Sequence, residues 1–225
     1  DPLLSKFSGV IIDEAHERNN NIDLLLILLK QVLLKRDDFK LVIMSATINS
    51  QLFIDYFPKK EFKFGFVHSE GTQLFPVKEY FMQEGVNKFD GRGNLTNKLY
   101  IKAAIKILNK ILQTTNDGAI LIFMPSKADL IQGCLMLELD MKQKDIFCQP
   151  LSGSSSTTEK EYAISFDKFK THSKGPYKRK VVIGTEVVES SITIKGLEYV
   201  IDTGLSNQTK YYVKESQNAL EKKYI

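Results

Sequence analysis

The residues best suited to chemistry in this chain are two adjacent carboxylates that follow an apolar run. Asp13 and Glu14 come directly after the run Gly-Val-Ile-Ile at positions 9–12. Two acidic residues at the end of a buried strand are what a nucleotide-hydrolysing site needs in order to hold Mg²⁺ and polarise water. Asp13 and Glu14 are therefore candidate catalytic residues and candidate magnesium ligands acting through water.

Four further polar clusters follow apolar runs in the same way. They are Ser45-Ala46-Thr47, Pro125-Ser126, Ser152-Gly153-Ser154 and Gly184-Thr185-Glu186. In open parallel sheets, ligands bind beyond the carboxyl ends of the strands. The sequence therefore predicts that the polar chemistry collects at one edge of the sheet. For Ser152 and its neighbours, a flexible hydrated turn is the alternative interpretation.

Short β-branched runs alternate with longer helical patterns, which is typical of an α/β fold with parallel sheets flanked by helices. The predicted strands are 9–12, 40–44, 64–68, 79–82, 119–124, 146–150, 180–183 and 198–201. The predicted helices are 22–34, 98–112 and one from a Ser126 cap to Leu139, while Thr158 and Glu161 form a capping-box pattern before 162–169. Lysines at 98, 102, 106 and 110 share one helix face, which we interpret as solvent-exposed.

Composition sets the outer limits on class and location. The chain has 225 residues, 43% of them hydrophobic, which is enough for one large domain or two modest cores. A shift in composition at 69–72, followed by Pro76, predicts two lobes, 1–74 and 75–225. The net charge of +4 is compatible with a polyanionic partner.

The cysteines and apolar runs predict an intracellular protein. Cys134 and Cys148 are the only cysteines, so we expect no disulfide framework and a reducing compartment. The cysteines and histidines do not have the spacing of a structural zinc site, so we expect none. The most apolar stretch, 24–29, is far shorter than the roughly 20 residues of a membrane span. Residues 1–6 lack the features of a signal peptide.

The string Asp-Glu-Ala-His-Glu-Arg at 13–18, the Ser-Ala-Thr motif at 45–47 and the segment 181–194 together resemble the DEAH-box branch of the superfamily 2 helicases. These are ATP-driven motors that move on RNA. The resemblance spans nearly the whole chain, from motif II through motif V. It implies two RecA-like lobes, the first incomplete and the second truncated before motif VI.

The resemblance also implies a role for each motif residue. Glu14 would orient and deprotonate the attacking water, and His16 would couple the nucleotide to the second lobe. The hydroxyls of Ser45 and Thr47 would link hydrolysis to RNA movement. The implied RNA-backbone contacts are Ser126, Ser152 and Thr185, and the implied nucleotide contacts are Asp13, Glu14, Ser191 and Thr193. The runs 199–202 and 210–213 would form the family's strand-separating β-hairpin.

Two positions depart from the family pattern. Glu186 replaces the usual Asn, and Lys195 stands where cellular members usually carry Asp. The form Glu-Ser-Ser-x-Thr-Ile at 189–194 is more similar to helicases of large DNA viruses. The expected location is therefore the cytoplasm or nucleus, or a virion if the protein is viral.

The function implied by the resemblance is unwinding of RNA driven by ATP or another NTP with Mg²⁺, with a possible protein activator and no membrane partner. No Gly-x-x-x-x-Gly-Lys loop occurs in these residues, so we expect the segment alone to be inactive. Two alternatives stay open. One is a catalytically inactive RNA-binding or scaffold module derived from a helicase. The other is a P-loop ATPase that acts on DNA or protein.

Overall fold

The chain contains two compact units, each with its own hydrophobic core. The computed structural model describes residues 1–45, 50–68, 75–82, 97–139, 145–186, 188, 192–212 and 217–224. The units are Asp1–Glu79 and Tyr80–Ile225. The functional lobes 1–74 and 75–225 stay a prediction.

The first unit packs two helices on two parallel strands. In order along the chain, its elements are β1 (Gly9–Ile12), α1 (Asn20–Leu33), β2 (Lys40–Ile43) and α2 (Ser50–Tyr56). The parallel register places Gly9 opposite Lys40. A Cβ atom at Gly9 would lie 2.6 Å from the Lys40 carbonyl oxygen, so the close approach of β1 to β2 requires glycine here.

The core of the first unit lies on one face of this strand pair. Three leucine and valine side chains of α1 are buried there with Phe39 and Phe57: Leu26, Leu29 and Val32. Asn19 caps α1 by accepting a hydrogen bond of 2.9 Å from the backbone N–H of Ile22. On the strands, Ile11 is 66% exposed and Val42 47% exposed, so apolar surface faces outward.

The second unit is built on a four-stranded parallel sheet. Its elements are α3 (Leu99–Thr114), β3 (Ala119–Phe123), α4 (Lys127–Glu138), β4 (Ile146–Leu151), α5 (Thr157–Ile164), β5 (Arg179–Gly184) and β6 (Leu197–Asp202). The strand order is β4-β5-β3-β6, and every neighbouring pair is parallel. Both faces of β3 and β5 are covered, which explains why their sequences are continuous apolar runs.

Helices α3 and α4 cover one face of this sheet, and their contact with it joins the two cysteines. Cys134 of α4 and Cys148 of β4 form a disulfide, with their Cα atoms 5.5 Å apart. The expectation of no disulfide was wrong. It rested on cysteine number and compartment, whereas the packing of α4 on β4 places the two sulfur atoms together.

The chain continues into an antiparallel hairpin of β7 (Leu205–Tyr212) and β8 (Gln217–Tyr224). The hairpin predicted from 199–202 and 210–213 was wrong in its first strand. Residues 199–202 belong to β6, which pairs with β3 in the parallel sheet. Buried Ile201 fits that position, because it packs in the main core.

Other sequence predictions were also wrong. The described residues 63–68 and 75–82 form no strand, and Phe66, Val67, Tyr80 and Phe81 are exposed, so the apolar alternation there buries nothing. The capping box is formed by Ser156 and Glu159, two residues before the predicted pair. Ser156 with Glu159 and Thr158 with Glu161 both match the capping-box pattern. In the structure, the Ser156 side chain accepts a hydrogen bond of 3.3 Å from the backbone N–H of Glu159.

Candidate functional site

The end of β1 turns sharply at Glu14. This residue has φ 50° and ψ 38°, in the left-handed region that non-glycine residues rarely adopt. A short 3-10 helix, Ala15–Glu17, follows at once. Such a conformation costs on the order of 1–3 kcal/mol and is found most often at functional sites. The turn leaves the Asp13 side chain exposed and that of Glu14 44% exposed at the carboxyl end of the strand.

Backbone hydrogen bonds hold this turn to the end of β2. The Met44 N–H donates to the Ile12 carbonyl at 2.8 Å, and the Ala15 N–H donates to the Met44 carbonyl at 3.0 Å. Ser45 therefore follows immediately after the residue bonded to Ala15. The structure brings the acidic motif and Ser45 to the same edge of the strand pair, whereas Thr47 lies outside the described residues.

His16 lies beside Glu14 within this turn. Its Nδ1 atom is 3.4 Å from a carboxylate oxygen of Glu14, and its side chain is 28% exposed. The backbone N–H of Glu14 donates to the Asp13 carboxylate at 2.9 Å. One Asp13 oxygen is thereby oriented. The three predicted catalytic side chains thus form one cluster.

In the second unit, backbone bonds tie the carboxyl ends of the strands together. The Thr185 N–H donates to the Leu151 carbonyl at 3.3 Å, and the Met124 N–H donates to the Gly184 carbonyl at 2.9 Å. β5 ends on Gly184, where a Cβ atom would lie 2.7 Å from the buried Val188 side chain. The residues that follow β3, β4 and β5 therefore share one edge, which we call the second-unit rim: 124–127, 152–155 and 185–186.

The three predicted RNA contacts all lie on the second-unit rim. Thr185 and Ser152 are half-buried, and the Ser152 hydroxyl is 3.2 Å from that of Ser154. Ser126 caps α4, and its hydroxyl donates to the buried carboxylate of Asp129. The rim is thus lined with hydroxyl groups and strand-end backbone, as the polar clusters in the sequence indicated.

The predicted nucleotide contacts of the second unit are less completely described. Thr193 is exposed and lies between Ile192 and Ile194, which both pack against the core. Ser191 lies outside the described residues. Glu186, which departs from the family pattern, is exposed beside Thr185.

Sequence reasoning missed two residues, one on the second-unit rim and one beside it. The Lys127 ammonium group donates to the Ser154 hydroxyl at 3.0 Å and places a cation between two rim loops. The Thr203 hydroxyl donates to the Phe123 carbonyl at 2.9 Å and joins the end of β6 to that of β3. For Lys127, the available sequence signal was a lysine directly after Ser126. The contact of Thr203 depends on the order of the strands in the sheet, and no sequence signal indicated it.

Two negative findings apply to the described part of the chain. It contains no group of three or more His, Cys, Asp and Glu side chains that could enclose a metal ion. None of its helices is both long and apolar enough to cross a bilayer.

Sequence comparison identifies relatives along the whole chain. The family described as helicase conserved C-terminal domain matches residues 103–218. An ATP-dependent RNA helicase of Acanthamoeba polyphaga mimivirus is 32% identical over the full chain, which covers 30% of that protein. The chloroplastic ATP-dependent RNA helicase DEAH12 of Arabidopsis thaliana is 36% identical over 98% of the chain, which covers 11% of that protein. The chain thus spans less than a third of these relatives.

Solved structures agree with these sequence relatives. The crystal structure of the Escherichia coli DEAH/RHA helicase HrpB matches the whole chain with a TM-score of 0.77 and 27% identity, and the chain covers 26% of it. A second crystal structure, of the E. coli DExH-box NTPase HrpB, gives a TM-score of 0.73. Together with the Asp-Glu-Ala-His turn and the family match over 103–218, these likenesses show that the chain belongs to the DEAH-type helicase family.

Proposed function

We propose that this chain is part of an ATP-dependent RNA helicase, an enzyme that couples NTP hydrolysis to movement along RNA and unwinding of it. The observation that carries the proposal is the turn at the end of β1. There the carboxylates of Asp13 and Glu14 and the imidazole of His16 form one cluster on a strained backbone. Relatives named as ATP-dependent RNA helicases match essentially all of the chain, which supports the proposal.

The cluster at Asp13 and Glu14 fits Mg²⁺ as the nucleotide-bound ion. Mg²⁺ is held in NTPase sites by one or two carboxylates together with waters and substrate phosphates, so a closed protein cage is not needed. The exposed Asp13 carboxylate, oriented by the Glu14 N–H, provides such a ligand through water. When bound, the ion neutralises charge that develops on the transferred phosphoryl group.

Within this proposal each side chain has a separate role. Glu14 accepts the proton of the attacking water, because its carboxylate is exposed at the strand end. His16 contacts Glu14 and links the site to the rest of the molecule. Ser45 and Thr47 transmit the state of the nucleotide, and the Ala15–Met44 backbone bond ties the acidic turn to the residue directly before Ser45. The family resemblance assigns further nucleotide contacts to Ser191 and Thr193.

RNA binds through its phosphate backbone at the second-unit rim. The hydroxyls of Ser126, Ser152 and Thr185, together with the Lys127 ammonium, are hydrogen-bond donors suited to phosphate oxygens. Backbone contacts position RNA without reading its bases, so we expect little sequence preference. The protein acts inside the cell or in a virion; the mimivirus relative supports this range, and an activating protein partner would fit it.

The decisive experiment replaces Glu14 by Gln in the complete protein. The amide keeps the shape of the side chain but cannot accept a proton, so ATP binding should persist. RNA-stimulated ATP turnover should fall by about 10²–10⁴-fold, the usual effect of removing a general base. Glu17→Gln is the matched control, because Glu17 is an exposed acid in the 3-10 helix that follows Glu14.

The same assay separates the alternatives. Near-normal RNA-stimulated turnover in the Glu14→Gln variant would remove Glu14 from the mechanism. A complete protein that binds RNA but hydrolyses no ATP would be a scaffold module. ATP turnover stimulated by DNA and not by RNA would indicate a P-loop ATPase that acts on DNA.

A further inference from the structure

We propose that Asp129 is a positioning residue that couples the second-unit rim to the β7–β8 hairpin, so that the turn at Ser126 and the hairpin move together. The structural part of this inference concerns contacts within the second unit alone. Its functional part, that RNA unwinding requires the coupling, rests on the proposed function. No motif of the sequence assigns Asp129 or Lys222 a role.

Asp129 is the centre of a polar cluster inside the second unit. Its side chain is 0% exposed, although it lies in the first turn of α4. One carboxylate oxygen accepts hydrogen bonds from Ser126 and from the Lys222 ammonium, the latter at 2.6 Å. The other oxygen is 3.2 Å from the ammonium of Lys98. We call Ser126, Asp129, Lys98, Lys222 and Tyr100 the Asp129 cluster.

The Asp129 cluster joins three elements that are distant in sequence. Lys222 comes from β8 and also donates to the Tyr100 hydroxyl of α3 at 3.0 Å. Its ammonium lies 5.6 Å from the centre of the Tyr100 ring. Asp129 comes from α4, and Ser126 ends the strand-to-helix turn of the rim. One carboxylate therefore fixes the rim turn and the root of the hairpin.

A buried charge of this kind requires its partners. Burial opposes ionisation of Asp129, but hydrogen bonds from Lys222 and Ser126 outweigh it, and the pKa of the carboxyl lies below its ordinary value. Asp129 is therefore ionised at neutral pH. Removing a cationic partner leaves a buried charge poorly compensated, which is strongly destabilising for that arrangement. The hairpin therefore stays docked as long as Lys222 pairs with Asp129.

The hairpin needs such an attachment because isolated two-stranded ribbons are at best marginally stable in water. At its root, Leu205 is buried in the core and anchors the start of β7. Lys222 lies on β8 opposite Asn207, close to that root. The apolar anchor holds one strand and the ion pair holds the other. Together they fix the direction in which the hairpin projects.

The rim end of the cluster is the Ser126 hydroxyl, one of the groups to which we assign an RNA phosphate. This hydroxyl donates its hydrogen to Asp129. A phosphate that takes the same hydrogen changes the hydrogen bonding of the carboxylate that also holds Lys222. RNA contact at the rim and the position of the hairpin are thereby linked, because both depend on hydrogen bonds to the same Asp129 carboxylate.

The test uses Lys222→Met, which removes the ammonium but keeps the length of the side chain, beside Asp129→Asn and the double variant. The matched control is Lys223→Met. Lys223 is the next residue of β8 and pairs with Glu221 at 2.9 Å, away from Asp129. Lys222→Arg keeps the charge and should retain the coupling. Hydrogen exchange of backbone amides in β7, β8 and the 124–127 turn is measured for all variants.

We expect Lys222→Met to speed exchange in the hairpin and also in the 124–127 turn, which a merely local defect in β8 would not do. In the complete protein, base pairs unwound per ATP hydrolysed should fall about 2- to 30-fold, the usual range for loss of a coupling contact. RNA-stimulated ATP turnover itself should change little. The losses in the double variant should be smaller than the sum of the single losses, because both changes remove the same interaction and Asp129→Asn also removes the charge that Lys222→Met leaves unpaired.

Unchanged exchange at 124–127 in Lys222→Met would overturn the coupling, even if the hairpin itself loosened. Additive effects in the double variant would also overturn it. If Asp129→Asn does not fold, Lys222→Met still decides, because Lys222 is only partly buried at the hairpin root. A complete protein without any unwinding activity would instead refute the proposed function, and the exchange data would still report on the coupling.

Discussion

At the scale of single residues, the most unusual group in the second unit is a buried lysine without an acidic partner. Lys180 of β5 is almost completely buried, and its ammonium donates to the carbonyls of Ala163 at 2.7 Å and Ser165 at 2.6 Å. In the part of the chain that the structure describes, it forms no ion pair with a carboxylate. Burial therefore lowers the pKa of Lys180 from an ordinary value of 10.5 to about 8.

This lowered pKa predicts how stability depends on pH. Between pH 8 and about 10.5 the unfolded chain holds the Lys180 proton while the folded chain has released it, so the free energy of unfolding gains a term that rises with pH. Lys180→Met should lose that rise. Denaturant unfolding at intervals from pH 7 to pH 10 measures it.

Lys180→Met also leaves the Ala163 and Ser165 carbonyls without their hydrogen-bond donor, which should lower the free energy of unfolding at every pH. The quantity to compare between the proteins is therefore the slope of the free energy of unfolding against pH. Lys178→Met is the matched control, since the Lys178 side chain is 82% exposed in a pair with Asp145. If the free energy of unfolding changes with pH in the same way for wild type and Lys180→Met, this lysine is not desolvated in solution.

At the scale of elements, apolar pattern and capping chemistry predicted most of what positions the site. The strands that end at Phe123 and Gly184 follow from continuous apolar runs, which a parallel sheet covered on both faces accommodates, and the strand that ends at Ile12 follows from a similar short run. The helix from Ser126 was predicted with its cap, because a serine accepting from the third following residue is a local interaction. Local chemistry therefore predicted the strand ends that the candidate side chains follow, and the roles of these side chains stay a prediction.

What the sequence could not predict depends on contacts between distant residues. The pairing of Asp129 with Lys222 joins residues 93 positions apart, and periodicity contains no information about it. Lys98 was assigned to a solvent-exposed lysine face, yet its ammonium reaches the buried Asp129 carboxylate. Residues 64–68 alternate like a strand, but the described chain provides no neighbour for them to pair with.

The disulfide is an element-scale device that links α4 to β4. It closes a chain segment with a sequence separation of 14 residues. In the loop-entropy account, a closure of about this length contributes about 3 kcal/mol to the free energy of unfolding. Reduction should therefore lower the denaturation midpoint of the oxidised protein, as measured by denaturant titration with and without reductant.

A Cys148→Ser variant supplies the control for this prediction, because it has no bond to break and should respond equally with and without reductant. Its stability should be close to that of the reduced wild type. If both thiols of the unreduced protein react with an alkylating reagent, Cys134 and Cys148 are not joined in solution, and the reducing compartment expected from composition is the better description.

At the scale of the whole molecule, the proposed function requires that hydrolysis be connected to RNA movement, and we assign this role to Ser45, just after the end of β2, and to Thr47. The Ala15–Met44 backbone bond connects the acidic turn to Ser45. In the complete protein, Ser45→Ala combined with Thr47→Ala should leave ATP hydrolysis largely intact while duplex unwinding collapses. Parallel ATPase and unwinding assays test this. An equal loss of ATP hydrolysis and duplex unwinding would instead assign Ser45 and Thr47 to folding or nucleotide binding.

The last prediction concerns residues 1–225 studied by themselves. NTPases of this class cradle the nucleotide phosphates with a glycine-rich loop and its lysine, and the sequence contains no Gly-x-x-x-x-Gly-Lys. An arginine finger, which is worth about 10³–10⁵ in rate, also has no assigned residue here. The segment should therefore turn over no more ATP than its own Glu14→Gln version.

RNA binding by the same segment should survive in weakened form, because the second-unit rim that we assign to RNA phosphates lies within one compact unit. Its affinity should fall steeply with salt, since phosphate contacts release counterions. The first unit should be the less soluble part, because Ile11 and Val42 present apolar strand surface to solvent. ATP turnover above the Glu14→Gln level would mean that residues 1–225 form a complete phosphate site without the expected loop.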